Sequence, residues 1–180
     1  MKVATKSPFM KKDYIDFDDQ SQPVGYLLTF RCYGTWLHGD ERGSVDRHHR
    51  VYGSPGLQPS ALRRQHDRDL LKQPPVTLSA RQRAVVKSTI HETCTLRRWQ
   101  LWTANIRTNQ VHAVVSANKQ RQAVLSALKA NATRAMREAG LWTSEMSPWE
   151  FRGSKKYLWN ERQLADAIAY VDCDQGEPLD

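Results

Sequence analysis

Two strand-like runs near the middle of the chain constrain its fold more than any other feature. Trp99–Ile106 and Gln110–Ala117 are separated only by Arg107-Thr-Asn109, a spacing that turns back on itself as an antiparallel hairpin. In the second run Val111, Ala113, Val115 and Ala117 alternate with Gln110, His112, Val114 and Ser116. Successive side chains of a strand point to opposite faces, so the first set faces a core and the second set shares the other side.

The segments around this hairpin predict what it pairs and packs with. Gly25–Tyr33 is rich in aromatic and branched residues and has the length of a strand; Tyr26, Leu28, Phe30 and Cys32 share one face, Leu27, Thr29, Arg31 and Tyr33 the other. Ser79-Ala-Arg-Gln82 has capping-box spacing, and behind it Val86, Ile90 and Cys94 form one helical stripe, which Val85 and Leu96 on a flank would widen. A second helix is expected from about Lys119 to Ala139, burying Val124, Leu125, Leu128, Ala132, Ala135 and Met136, with Gly140 as its stop. Lys155–Trp159 reads as a fourth strand, and Asn160-Glu-Arg-Gln163 opens a last helix through Leu164, Ile168 and Val171. The order β–α–β–β–α–β plus one helix predicts an α+β, ferredoxin-like sandwich with two helices on one sheet face and the other face uncovered. Residues 1–23 read as a flexible lead-in to one domain over 24–180, and about 38–78 as a long loop with a short helix near Ala61–Leu71.

Composition narrows the partners. The chain has 27 Lys and Arg against 19 Asp and Glu, a net charge of +8, which favours a polyanion and nucleic acid above all. No apolar run approaches the ~20 residues of a spanning helix, and the charged N-terminus lacks the apolar centre of a secretory signal. Cys32, Cys94 and Cys173 are odd in number and far apart, as expected of reduced thiols in a cytoplasmic protein.

The uncovered sheet face is where chemistry is expected. Gln110 and His112 project there together, two neighbouring donors suited to a divalent cation that still needs a third ligand. Taken alone, such a His is more often a half-exposed side chain without a task. On the last helix Tyr170 falls off the packed stripe, on the side of Gln163, Asp166 and Asp174; Asp174, one turn on, could supply a ligand below the phenol. The bland alternative is a boundary tyrosine covering the sheet rim. A phenol titrates near 10 and is a poor nucleophile, but beside a cation that polarises a phosphodiester it can attack and conserve the bond as phosphotyrosine.

Four stretches carry a resemblance: GYLLTFRCYGTWL (25–37), DERGSVDRHHRVYGSP (40–55), RTNQVHAVVSA (107–117) and KKYLWNERQLADAIAYV (155–171). In this order they resemble the single-tyrosine HUH transposases, especially the REP-associated tyrosine transposase branch. The resemblance implies a ferredoxin-like nuclease domain that binds single-stranded or hairpin DNA in a bacterial cytoplasm, at the nucleoid, and cleaves it with Mg²⁺ or Mn²⁺. One tyrosine would hold the DNA as a 5′-phosphotyrosine, and relatives occur as homodimers and as monomers. Carried onto this chain, Tyr170 matches the nucleophile, His112 the second motif His, and Asp174 or its neighbour Gln175 the third ligand. Gln110 stands where the family has its first His. A carboxamide oxygen can ligate Mg²⁺, but the exchange of donor alters affinity and metal choice.

Phosphate contacts are expected from Arg31, Arg47, Arg50, Lys129, Arg134, Arg152, Lys155 and Lys156, with Trp36, Trp102 and Trp149 as platforms for unpaired bases. The adjacent His48 and His49 point apart on an extended segment and suit loop or phosphate contact better than a metal. The readings are therefore a DNA-cleaving and rejoining transposase, or a nucleic-acid-binding relative weakened or inactivated by Gln110. A ferredoxin-like RNA-binding module comes last, because the aromatic sheet pattern of RNA-recognition motifs is missing.

Overall fold

The computed structural model describes residues 22–37 and 60–173. Strand β1 (Gly25–Cys32) lies in the sheet interior, antiparallel to β3 (Gln110–Ser116) on one side and to β4 (Trp149–Leu158) on the other. β2 (Gln100–Ile106) completes the hairpin with β3, giving the order β2-β3-β1-β4 and the ferredoxin-like arrangement expected. The hairpin closes where the Arg107 N–H donates to the Gln110 carbonyl at 2.8 Å.

Helix α1 (Ala61–Asp69) is the short helix expected in the long loop, capped by Ser60 and without a buried residue. Helices α2 (Ala80–Leu96) and α3 (Arg121–Glu138) cover one sheet face. The capping box on α2 forms as spaced: Ser79 Oγ accepts from the Gln82 N–H, and Gln82 Oε1 accepts from the Ser79 N–H. Both helices end the same way. In α2 the N–H groups of Arg98 and Trp99 reach back to the carbonyls of Thr95 and Cys94; in α3 those of Gly140 and Leu141 reach Arg137 and Met136. This termination needs a left-handed residue, which Gly140 (φ 67°) adopts freely and Arg98 (φ 56°) adopts because Trp99 behind it is buried.

The core is the alternation made solid. Leu28, Phe30, Cys32, Val111, Ala113 and Val115 from the sheet meet Val86, Ile90 and Cys94 of α2 and Val124, Leu125, Leu128, Ala132 and Met136 of α3. Leu96 does not widen the stripe: it lies 83% exposed, two residues beyond Cys94, the last buried position of α2. Cys32 and Cys94 are free and buried, and burial pushes their thiols up to about 12 and about 11, so neither serves as a nucleophile.

The fourth strand starts six residues earlier than its alternation indicates, at Trp149. Its first half has no apolar period because it is irregular: Phe30 pairs with Gly153 and Cys32 with Trp149, so a bulge interrupts the ladder. The carbonyls of Glu150, Phe151 and Arg152 in that bulge all accept from the Lys129 ammonium, at 2.6, 3.3 and 3.1 Å. Lys129, expected at phosphate, is therefore a fastener of the sheet edge. Burial foremost, then the charge of Lys155, brings its amine down to about 8. Trp149 is likewise no stacking platform, being 3% exposed, edge-on to Phe30, and hydrogen-bonded to Lys129 O and Thr133 Oγ1.

Gly153 lets β4 approach β1 after the bulge. A Cβ there would sit 2.7 Å from the Thr29 carbonyl oxygen and 3.0 Å from Leu125 Cδ2. Gly153→Ala is expected to destabilise the fold by about 1–3 kcal/mol, as overpacking of a tight interior does, seen as a lower urea midpoint with an unchanged slope.

Candidate active site beneath the last helix

The second sheet face is not uncovered. Helix α4 (Glu161–Cys173) lies across it, packing Ala167 and Val171, with Leu164, Ile168 and Tyr170 at the margin, against Leu27, Val114 and Leu158. The expectation of an open face failed because Val114 and Leu27 make its centre apolar, and the C-terminal helix carries a complementary stripe. Two hydrogen bonds from the edge strand fix the last turn of α4: Asn105 Nδ2 donates to the Val171 carbonyl at 3.2 Å, and Thr103 Oγ1 to Asp172 Oδ1.

Under this helix the strand register brings Asn105, His112 and Thr29 side by side. His112 is only 4% exposed, with Nδ1 2.9 Å from Thr29 Oγ1 and its ring edge-to-face with Tyr170, centroids 5.9 Å apart. Tyr170 thus sits at the boundary of the apolar stripe, as its helical phase indicates, and reaches the imidazole. The Thr29 hydroxyl can accept from a protonated Nδ1 or donate to a bare one. Nε2 is enclosed and has no hydrogen-bond partner among the described residues. Burial first, then the charges of Arg31 and Arg107, holds His112 down at about 4, so the ring is neutral at physiological pH.

A neutral imidazole anchored through one nitrogen is the form in which histidine ligates a cation. With Gln110, half-buried two residues along the same face, it could supply two donors to a divalent cation. Among the described residues no group of three His, Cys, Asp or Glu could hold a metal. Asp174 and Gln175 lie outside the described residues, as do Arg47, Arg50, His48 and His49.

The basic residues divide between the faces. Arg31 faces Gln110 in register, with its guanidinium 3.4 Å over the Trp36 ring, and Lys156 pairs with Leu27 on the same side. Lys155 pairs with Leu28 and belongs to the opposite side, towards α3. Arg152 is exposed in the bulge, and Arg134 is exposed on α3 with Glu138 at 3.7 Å. Trp102 is 47% exposed, its Nε1 donating to Ser116 Oγ. Sequence reasoning overlooked Arg107, Thr29 and the α4 tethers Thr103 and Asn105. Thr29 was accessible from alternation, since it shares a face with Arg31; Arg107 needed the hairpin register.

Because His112 is buried neutral, its folded pKa lies below the unfolded value of about 6.5. Its contribution is therefore complete above pH 6.5 and disappears as pH falls through about 4. Between pH 7 and pH 5 this site should cost the protein about 2 kcal/mol. Urea unfolding at the two pH values checks it: His112→Gln is expected to shrink the difference by that amount.

No protein-family model and no curated protein matches the chain. Among solved structures, it is similar to a REP-associated tyrosine transposase bound to a REP hairpin, with a TM-score of 0.47, 9% identity, 87% of this chain covered and 70% of that one. It is also similar to a candidate transposase from Deinococcus radiodurans R1, with a TM-score of 0.46, 13% identity, and 93% and 98% covered. At such identities the likeness is one of overall shape and assigns no residue a role.

Proposed function

We propose that the chain is a DNA transposase of the single-tyrosine type, cleaving and rejoining single-stranded or hairpin DNA. The observation that carries the reading is the placement of the Tyr170 ring against the buried imidazole of His112. In the reaction the Tyr170 oxygen forms a bond to phosphorus and loses its proton, while the bond from phosphorus to the 3′ oxygen breaks and that oxygen takes up a proton, so that none is gained or lost overall. The product is a 5′-phosphotyrosine and a free 3′ hydroxyl, and the reverse step rejoins a strand. Mg²⁺ or Mn²⁺ held by His112, Gln110 and either Asp174 or Gln175 would supply Lewis-acid polarisation of the phosphodiester. The protein's own contribution is positional and electrostatic: Thr29 orients His112, Asn105 and Thr103 hold the turn bearing Tyr170, and Arg31 and Arg107 attract the phosphate.

A second reading rests on Gln110 and on the two arginine charges acting on His112, which favour an anion over a cation. Under it the chain binds DNA and does not cleave it.

A single-stranded hairpin oligonucleotide with Mn²⁺ is expected to give a protein–DNA adduct that survives denaturant, and Tyr170→Phe to abolish it. Adduct in the Phe variant would move the nucleophile elsewhere. Salt-sensitive binding without adduct, converted to cleavage by Gln110→His, would favour the second reading.

A further inference from the structure

At one end of the sheet, Gln22, Pro23, Tyr26, Asn118, Lys119, Gln120, Tyr157 and Trp159 line a cleft of about 440 Å³, within the size range of small-ligand sites. It is built on the side of β1 away from His112, since Tyr26 belongs to the core face under α2 and α3. Tyr26 and its register partner Tyr157 meet edge to face at 5.8 Å, and Trp159 lies against Tyr157 with centroids 5.0 Å apart and planes tilted by 36°.

The two tyrosine rings are fixed from behind, and the backbone that carries Trp159 is tethered. The Tyr26 hydroxyl donates to the Lys119 carbonyl at 3.0 Å. The Arg121 guanidinium lies 4.0 Å over the Tyr157 ring and is itself held by the Lys155 carbonyl at 2.6 Å. The backbone N–H of Trp159 donates to Gln163 Oε1 at 2.8 Å, which ties the end of β4 to the start of α4. Aromatic groups already immobilised lose little freedom when a flat ligand stacks on them. The amides of Gln22, Asn118 and Gln120 can both donate and accept, as the edge of a base requires, and the exposed Lys119 adds a cation on a chain of net charge +8.

We infer that this cleft binds one unpaired nucleobase of a DNA strand, stacked on Trp159 with the neighbouring phosphate at Lys119. The inference rests on the DNA partner proposed above but not on the chemistry of Tyr170, so its test reads binding alone. Fluorescence anisotropy would compare a labelled oligothymidylate with a sugar-phosphate strand of equal length lacking bases. The protein should prefer the former by about tenfold, the worth of stacking one base. Trp159→Leu should erase the preference while leaving the base-free strand's affinity unchanged, and Trp159→Phe should restore most of it. Lys119→Ala should weaken both strands alike and reduce the salt slope by about one.

Ultraviolet crosslinking of an iododeoxyuridine oligonucleotide to the unaltered protein needs no variant and should map to Trp159 or Tyr157. No base preference in the unaltered protein, an undiminished preference in Trp159→Leu, or crosslinks confined to the His112 face would each overturn the inference. A protein without adduct chemistry that keeps its base preference upholds it, and an adduct-forming protein without that preference does not.

Discussion

A single helix of 13 residues closes the second face of the sheet, and the candidate chemistry depends on that closure. Leu27, Val114 and Leu158 would otherwise present apolar surface to water, so burying them against Ala167 and Val171 holds α4 in place. The polar consequences follow from the same contact. His112 is taken out of water with its neighbour Val114, its charged form becomes costly, and Thr29 supplies a hydrogen bond to the neutral ring. Tyr170 gains its position because the stripe beside it is fixed.

Hydrogen bonding sets how α4 ends over the site. Apolar contacts resist separation but tolerate sliding, whereas the links from Asn105 and Thr103 fix the last turn to particular atoms of the edge strand. Tyr170 lies immediately before the residues that receive those links, Val171 and Asp172. The helix thereby combines a non-directional attachment in its middle with a directional one near its nucleophile candidate.

Net charge conceals how the cations are used. Lys129 serves the bulged carbonyls of β4, Arg121 braces Tyr157, and Lys155 and Lys156 leave one strand in opposite directions. Arg31 and Arg107 act on the imidazole side. Positive charge thus lies on both sides of the sheet.

Local rules fixed much of this protein before any tertiary contact is considered. Period-2 alternation in Gln110–Ser116, the Ser79 capping box and Gly140 each specify a strand face or a helix end from a few consecutive residues, and the structure places them accordingly. Alternation likewise assigns Gln110 and His112 to one face, and helical phase sets Tyr170 at the edge of its stripe. Other features were settled only by long-range packing. The first half of β4 has no period and exists through pairing with β1; Lys129 turns inward because the bulge leaves carbonyls to satisfy. His112 is buried because a helix some fifty residues later covers it. Periodicity says which side chains share a surface, but the element that covers that surface is chosen by complementarity between segments distant in sequence.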